Sequence, residues 1–326
     1  MLKTLCELNG ASGNENAVRD YIISQLKADY VIDNLGSVIV KIGNSKISMN
    51  AHMDEVGFII TGITDDGYLR FDTVGGIDPR VCLDRMVITE KGVKGVIADK
   101  AFHLLSSDEK SKCPSFENLL IDIGATSREE AEKVVCLGDF ANFVSDYAEF
   151  GNGFIKAKAL DDRIGCMLML ELINEGFEGI YCFNVQEEVG LRGAKCTAEN
   201  TCPDIAIVIE STTAGDLDGV SGSDRVCVLG DGPVVSFMDN RTIYDRELYN
   251  LAMQTASEIG IPIQTKTAIA GGNDAGAIQT ASGGTRVLAI SLPTRYIHSG
   301  ASVVKKSDIE DTRKLLKELL TKLYDL

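Results

Sequence analysis

The chain has 326 residues, of which 44% are hydrophobic, and its formal net charge is -16 at pH 7. This length allows one large domain or two, since domains span roughly 100–200 residues, and the hydrophobic content can bury a substantial core. The negative charge repels phosphate backbones and anionic lipid surfaces, so we expect neither nucleic acid nor a membrane as a partner.

The cysteines and the N-terminal residues indicate the cellular compartment of the protein. The nine cysteines are scattered without paired spacing, which is typical of a reducing cytosol rather than of a disulfide-stabilised protein. The N-terminal stretch MLKTLCELNGASGNENAV has no apolar signal-peptide core, and no run of about 18 apolar residues follows. The sequence therefore predicts a soluble cytoplasmic protein.

The sequence of the first half of the chain predicts a helix and two strands, followed by a segment of different composition. Apolar residues recur at helical spacing over residues 14–30, which indicates a helix. The runs SVIVKIG and KISMNAHMDEVGFIIT follow. Over residues 65–153, short β-rich segments such as GYLRFDTV and NLLIDIG are separated by Gly and Asp turns, a pattern typical of a small barrel or sandwich.

The rest of the chain alternates helices and strands. Helices are predicted for DDRIGCMLMLELINEG, RELYNLAMQTASEIG and SDIEDTRKLLKELLTKLYDL, and strands for IYCFNV, DIAIVIE and TRVLAISLP. Two α/β stretches that flank a β-rich one indicate an α/β domain that is interrupted by a smaller domain. We assign residues 1–64 and 154–326 to the α/β domain and residues 65–153 to the insert.

Polar residues that could carry chemistry lie at the predicted strand ends. In NAHMDEVG, His52 and Asp54 are two apart, which places both on one face of a strand, where the acid could hold one imidazole nitrogen while the other binds a metal. Glu210 ends DIAIVIE, and His298 follows TRVLAISLP. The alternative is that each histidine is an ordinary surface or core residue. We favour this alternative for the third histidine, His103, which lies in the β-rich segment.

Two pairs of adjacent acids need an explanation. Asp161 and Asp162 precede a predicted helix, where they could cap it and complement its dipole, or where a carboxylate could bridge two cations. Glu187 and Glu188, in QEEVGLRG, follow a buried strand, and like charges there are costly unless they face water or a cation relieves them. With the imidazoles, these carboxylates form a mixed N and O ligand set that suits Zn²⁺, Co²⁺ or Mn²⁺.

Six motifs occur in order across nearly the whole chain: AHMDEVGF, ALDDRIG, QEEVGLRGA, ESTTAGD, GGNDAGAIQ and RYIHSG. In this order they resemble the glutamyl-aminopeptidase-like, or tetrahedral aminopeptidase, family of co-catalytic metallopeptidases. The resemblance implies a zinc-exopeptidase-like mixed sheet flanked by helices, with an inserted β-barrel or PDZ-like lid. It also implies removal of the N-terminal residue from peptides, two divalent metal ions per subunit, and homo-oligomers from dimers to dodecamers.

The resemblance also assigns roles to individual residues. The expected metal ligands are His52 with Glu210 for one ion, Glu188 with His298 for the other, and Asp161 as the bridge. Glu187 matches the general base, and Asp54 matches the acid that orients His52. Asp162 is not expected to bind metal, and in the wider clan the peptide bond after the bridging aspartate is often cis.

Two positions depart from the commonest family pattern. Glu210 stands where many relatives have Asp, and Asn273 stands where Thr is frequent. Neither change removes a coordinating group, so the expected site is retained. The GGNDAG run at residues 271–276 either presents backbone N–H groups to a substrate or is only a turn.

Two other functions compete with this interpretation. A metal-independent, cellulase-like glycoside hydrolase needs only two carboxylates, but it leaves both imidazoles and Asp161 without a role. A non-catalytic relative of the fold has no physical need for Glu187. The sequence leaves the preferred N-terminal residue of the substrate open, since four cations could face an acidic side chain: Arg80, Arg241, Lys266 and Arg295.

Overall fold

A computed structural model describes residues 1–325 of the chain. Its strands are, in chain order, β1 (Tyr30–Ile32), β2 (Val38–Ile42), β3 (Ile47–His52), β4 (Gly57–Ile63), β5 (Leu69–Val74), β6 (Met86–Thr89), β7 (Lys94–Ala98), β8 (Leu120–Asp122), β9 (Phe140–Phe143), β10 (Ala148–Phe150), β11 (Phe154–Ala157), β12 (Gly179–Asn184), β13 (Ile205–Thr213), β14 (Val234–Ser236), β15 (Gln264–Lys266), β16 (Arg286–Thr294) and β17 (Ser302–Lys305). Its helices are α1 (Leu2–Glu7), α2 (Asn16–Gln25), α3 (Ser107–Lys110), α4 (Arg128–Ala131), α5 (Leu160–Glu175), α6 (Arg192–Thr201), α7 (Arg246–Ile259), α8 (Ala275–Ile278) and α9 (Lys306–Leu323). Short 3₁₀ turns lie at Pro79–Val81, Phe102–Leu104, Phe116–Asn118 and Gly222–Arg225.

A mixed sheet forms the centre of the larger part of the molecule. Over residues 1–325 its strand order is β1-β2-β12-β3-β13-β16-β14-β15. The inner strands β12, β3, β13 and β16 run parallel to one another, whereas β2 and β14 are antiparallel to their inner neighbours. The carboxyl ends of the parallel strands therefore meet along one side of the sheet, which we call the carboxyl edge.

Both faces of the sheet are covered by helices. On β13, Ile207 and Ile209 belong to the large core that α5, α7 and α9 complete, while Ala206 and Val208 belong to a second core with α6 and α8. This division follows from the strand geometry, because successive side chains on a strand point to opposite faces. Buried strands with both faces covered are typical of parallel sheets.

The insert is a closed β-barrel. Its strands follow the order β4-β5-β8-β7-β6-β9. Phe58 lies at the centre of the barrel core, with its ring centroid 5.2 Å from that of Phe71 and 5.0 Å from that of Phe143, both in edge-to-face geometry. Such aromatic pairs stabilise a small core beyond the area that they bury. The barrel therefore has a hydrophobic core of its own, separate from that of the sheet.

The predicted class, an α/β mixed sheet flanked by helices with an inserted β-barrel, is confirmed. The barrel begins with β4 at residue 57, whereas the sequence texture places the boundary at residue 65, so the exact division into residues 1–64, 65–153 and 154–326 stays a prediction. The first predicted helix is shorter than expected, at Asn16–Gln25, and α1 and α6 lie in segments without a prediction. The last predicted helix ends by Leu323, and its final residue, 326, lies outside the described residues.

A buried charge network joins the two parts. Glu55, in the segment between β3 and β4, is 3% exposed and accepts hydrogen bonds from the Gly10 amide at 3.0 Å and from Asn142 of the barrel at 3.2 Å. The same carboxylate lies 2.5 Å from Lys158 Nζ and 3.6 Å from Arg163 Nη2. Since a buried charge is tolerated only when it is paired and hydrogen-bonded, this network fixes the base of the barrel against the sheet.

Membrane insertion has no support in the helices. Within residues 1–325, none of them combines the length and the apolar character that a bilayer-spanning segment needs.

Candidate active site

His52 is the last residue of β3 and is 1% exposed. Its Nδ1 lies 3.1 Å from the Asp54 carbonyl oxygen and 3.4 Å from Asp54 Oδ1. Both neighbours are acceptors, so a proton on Nδ1 would be hydrogen-bonded there and would leave the lone pair of Nε2 for a metal ion. That Nε2 lies 3.4 Å from Asp161 Oδ1 and 3.5 Å from Glu210 Oε1.

Asp161 lies between the two imidazoles. Its Oδ1 is 3.4 Å from His52 Nε2, and its Oδ2 is 3.5 Å from His298 Nε2. His298 Nε2 is also 3.4 Å from Glu188 Oε2. The described residues contain three clusters of possible ligand atoms, each within 4.8 Å. Two of them share Asp161: His52, Asp161 and Glu210 form one, and Asp161, Glu188 and His298 form the other. The third consists of His52, Glu187 and Glu188.

The neighbouring aspartates Asp161 and Asp162 do different work. Asp162 is fully buried, and its Oδ1 accepts a hydrogen bond from the Gly165 amide at 3.1 Å, as a helix-capping residue does. Asp161 has non-helical backbone angles and directs its carboxylate to the imidazoles. The Asp161–Asp162 peptide bond is cis, as the resemblance implied. Asp162 is therefore the capping member of the pair, and the carboxylate of Asp161 is the one that lies among the possible metal ligands.

The clusters leave buried oxygen atoms without partners. Among the described residues, Asp161 Oδ1 and Glu210 Oε2 are buried and accept no hydrogen bond. Burial and the charge of Asp161 raise the pKa of Glu210 to about 8, and burial raises the pKa of Glu188 to about 7. Unpaired buried carboxylates are costly, and divalent cations would offset that cost. The mixed imidazole and carboxylate donors fit Zn²⁺, Co²⁺ or Mn²⁺.

Asp54 organises the residues around it. Its Oδ2 accepts hydrogen bonds from Ser12 Oγ at 2.6 Å and from the Glu188 amide at 3.1 Å, and its Oδ1 accepts one from the Glu187 amide at 3.0 Å. Burial opposes the charge of Asp54, but its hydrogen bonds with His52 and Ser12 hold the pKa of the carboxyl below its usual range. One carboxylate therefore fixes both His52 and the Glu187–Glu188 segment.

Glu187 borders a cleft of about 440 Å³ at the carboxyl edge, together with Glu188, Asp161, Glu210 and His298. Burial is the main cause that raises the pKa of Glu187 well above its usual range, and the charge of Glu210 adds to it. A carboxylate with a raised pKa accepts a proton more readily than an exposed one. The geometry of the cleft therefore combines a set of possible metal ligands with a candidate base.

All seven site residues predicted from the sequence come together at this edge. His103 is exposed and lies outside the clusters described above. Of the four cations considered for substrate binding, Arg241 and Lys266 line the cleft. Arg80 pairs with Asp78, and Arg295 pairs with Asp216 at 2.6 Å, so their charges are already compensated.

The sequence reasoning missed several supporting residues. Asp274, in the GGNDAG run, is 1% exposed, and its Oδ2 accepts a hydrogen bond from Asn184 Nδ2 at 2.8 Å. Asn184 in turn accepts one from Thr197 Oγ1 at 2.8 Å. The acid in the glycine-rich run was a usable signal for Asp274, whereas Asn184, Thr197 and Ser12 carry no local pattern that points to the site.

The chain is similar to known aminopeptidases over nearly its whole length. A sequence model of the M42 glutamyl aminopeptidase family matches residues 36–315. The putative aminopeptidase FrvX of Escherichia coli K12 is 39% identical, over 99% of this chain and 95% of that protein. The lysyl aminopeptidase of Pyrococcus furiosus is 33% identical, over 99% of this chain and 96% of that protein.

Solved structures show the same fold. The TET1 peptidase of Pyrococcus horikoshii, described as assembling into a tetrahedron or a large octahedral shell, superposes with a TM-score of 0.86. It is 38% identical to this chain and the match covers 98% of each chain. The likeness therefore extends over both the sheet and the barrel.

The hydrogen bonds of Asp54 lead to a first prediction. Asp54→Asn replaces one carboxylate oxygen with an NH₂ donor, so the side chain can no longer accept hydrogen bonds from both the Glu187 and the Glu188 amides. The substitution also removes the negative charge that orients His52. We expect the affinity for Zn²⁺ to fall by roughly 10–100-fold. Calorimetric titration of the metal-free protein measures this change. Asp20→Asn, which alters an exposed acid, is the matched control, and equal affinities in the two variants would contradict the role assigned to Asp54.

Proposed function

Because the chain belongs to the family of M42 glutamyl aminopeptidases, we propose that it removes the N-terminal residue of peptides with the seven residues gathered at the carboxyl edge. It is a metal-dependent aminopeptidase, as its family is. The observation that carries the residue assignment is the position of Asp161, whose two oxygens lie 3.4 and 3.5 Å from the Nε2 atoms of His52 and His298.

In this proposal the chain holds two divalent metal ions, Zn²⁺ or Co²⁺ with Mn²⁺ as the alternative. His52 and Glu210 are the ligands of one ion, and Glu188 and His298 are the ligands of the other. Asp161 is shared, which its membership of two clusters supports. The unpartnered oxygens Asp161 Oδ1 and Glu210 Oε2 support the same assignment, because a metal ligand needs a free lone pair.

The protein's own residues would move the proton. Two ions in this site would lower the pKa of an attacking water and polarise the scissile carbonyl. Glu187 would take the proton of that water and deliver it to the leaving amine, which its position in the cleft and its raised pKa support. Asp54 does not face the cleft. It would hold His52 and the amides of Glu187 and Glu188 in place.

The two competing functions lack comparable support. Glycoside hydrolysis by two carboxylates gives no role to His52 or His298, yet both imidazoles lie against the carboxylates of the site. A non-catalytic relative would not need Glu187 to be buried beside the possible ligands at the cost of a strongly raised pKa. Family membership also favours the peptidase.

We propose further that the protein is a cytoplasmic homo-oligomer, between a dimer and a dodecamer, that assembles through the barrel. The barrel segment exposes large apolar side chains, among them Val134 at 44% and Leu137 at 65%, and such side chains often lie in interfaces. The shells named for the TET1 peptidase support assembly. All nine cysteines are free, which supports a reducing compartment.

A substrate and chelator experiment tests the peptidase activity. Purified protein loaded with Zn²⁺ or Co²⁺ should cleave some members of an aminoacyl-anilide series, lose activity with EDTA and regain it when metal is restored. N-acetylated analogues should not be cleaved, because an acetyl cap removes the amine that the acidic cleft can hold. Retention of activity in EDTA, or efficient cleavage of the blocked analogues, would overturn the proposal.

Substitutions of the two adjacent glutamates should have different effects on activity and metal content. Glu187→Gln keeps size and hydrogen bonding but removes the base, so kcat should fall by roughly 10²–10⁴ while metal content is retained. Glu188→Gln should purify with less metal and regain part of its activity when metal is added in excess. Metal analysis and kcat, measured on both variants, test the assignment. The reverse pattern would mean that the two roles are exchanged.

Assembly can be tested at the exposed apolar side chains of the barrel. Light scattering coupled to size exclusion should show a species well above the 35.1 kDa of one chain. The double variant Val134→Asp and Leu137→Asp should shift this species to smaller sizes, since charges in an apolar interface are costly to bury. Val31→Asp, at a residue that is 65% exposed on β1, is the control outside the barrel. Dissociation by the control alone would place the interface on the sheet domain.

A further inference from the structure

A second cavity adjoins the catalytic cleft. It has a volume of about 600 Å³, and we call it the outer cavity. It shares Gly190, Leu191 and Arg241 with the cleft, so the two spaces adjoin at these residues. Gly190 and Leu191 follow the Glu187–Glu188 pair closely in sequence. The outer cavity therefore begins beside the place where the peptide bond would be cut.

Three cations line the outer cavity: Arg192, Lys195 and Arg241. Its other lining residues in the described part of the chain are uncharged, and Glu199, one turn after Lys195 on α6, does not line it. Among the side chains that the structure describes, no ion pair joins any of the three cations to a carboxylate within 4 Å. In a chain whose formal charge is -16, an uncompensated cationic cavity indicates an anionic ligand.

Two of the three cations, Arg192 and Arg241, have defined surroundings. Arg192 Nη1 donates to Gln186 Oε1 at 3.2 Å, so a neutral group rather than an acid holds it. The stem of Arg241 packs against the GGNDAG run, where a Cβ added to Gly272 would lie 2.7 Å from Arg241 Cδ, and one added to Gly276 would lie 2.8 Å from Arg241 Cβ. The two glycines thus leave room for Arg241 at the junction of the cleft and the outer cavity.

The reaction decides which part of the substrate reaches this cavity. An aminopeptidase accepts one residue before the scissile bond, which needs a bounded space, and a chain of variable length after it, which needs a space that continues outward. The outer cavity is open to solvent and adjoins the cleft at Gly190, Leu191 and Arg241. The part of the peptide that follows the scissile bond is therefore the part that fits there.

We propose that the outer cavity binds a carboxylate carried by the departing part of the peptide, through Arg192, Lys195 and Arg241. This inference rests on the proposed aminopeptidase function. The carboxylate is either the free C-terminus of a short peptide or an acidic side chain just after the cleaved bond. Arginine and lysine suit both sources, because their N–H groups form charge-assisted hydrogen bonds with carboxylates.

The experiment compares matched substrates that begin with X, the N-terminal residue cleaved best among the anilides. X-Gly-Gly is compared with X-Gly-Gly-amide, which tests the C-terminal source, and X-Glu-Gly-amide is compared with X-Gln-Gly-amide, which tests the side-chain source. We expect kcat/KM to be about fivefold higher for the charged member of at least one pair, near the upper end for an ion pair that remains in contact with water.

The double variant Arg192→Gln and Lys195→Gln should remove this preference, while its kcat/KM for the uncharged X-anilide stays unchanged, since neither residue lines the cleft. The control double variant Lys27→Gln and Arg246→Gln removes the same charge from positions outside both cavities and should retain the preference. Size exclusion and metal content confirm that all proteins are intact.

The outcomes separate this inference from the function on which it rests. No cleavage of any anilide would overturn the aminopeptidase proposal itself. Cleavage of the anilides with equal kcat/KM within both peptide pairs would overturn only the carboxylate subsite. A preference that survives in the Arg192 and Lys195 double variant would also overturn it, because the carboxylate would then be recognised elsewhere. Loss of the preference in the control variant would also overturn the inference, because the preference for charged substrates would then arise from the overall charge of the protein.

Discussion

Burial of negative charge around Asp161 is the constraint on which the rest of the site depends. Glu188 and Glu210 lie in the two clusters that share this carboxylate, and Glu187 borders the same cleft. Burial raises the pKa of each of the three glutamates, so the arrangement is costly unless positive charge is present. The nearby imidazoles supply part of that charge, and metal ions in the two clusters would supply the remainder.

The segment between β3 and β4 serves both the site and the scaffold. Successive side chains in an extended segment point in opposite directions. Asp54 accordingly faces the site and holds the amides of Glu187 and Glu188, while Glu55 joins the network that ties the barrel to the sheet. The carbonyl of Met53, between His52 and Asp54, accepts a hydrogen bond from Arg163 Nε at 2.7 Å. Ligand geometry and barrel position are therefore coupled through four consecutive residues.

The QEEVGLRG segment also combines several roles in a few consecutive residues. Asp54 accepts hydrogen bonds from both backbone amides of the Glu187–Glu188 pair, which holds the backbone of the pair without using either glutamate carboxylate. Arg192 and the start of α6 follow directly and face the outer cavity. A single turn therefore carries the candidate base, one possible metal ligand and part of the wall of the outer cavity.

The sequence by itself determined the α/β class, the inserted β-rich segment and the seven residues of the candidate site. Hydrophobic periodicity is a local signal, and six motifs in fixed order are specific even when each alone is weak. Local pattern placed the start of the barrel at residue 65, because β4 runs on from β3 in one apolar stretch and only its pairing with β5 and β9 shows that it belongs to the barrel.

Only the tertiary structure shows the contacts that distinguish the adjacent acids Asp161 and Asp162. Asp161 and Asp162 are equivalent as letters, and it is the hydrogen bond from Gly165 to one and the two imidazoles beside the other that separate them. Likewise, Arg80, Arg241, Lys266 and Arg295 were equal candidates until Asp78 and Asp216 were found to pair with two of them. The physical reason is that charge compensation depends on distances between residues far apart in the chain, which no local pattern of the sequence records.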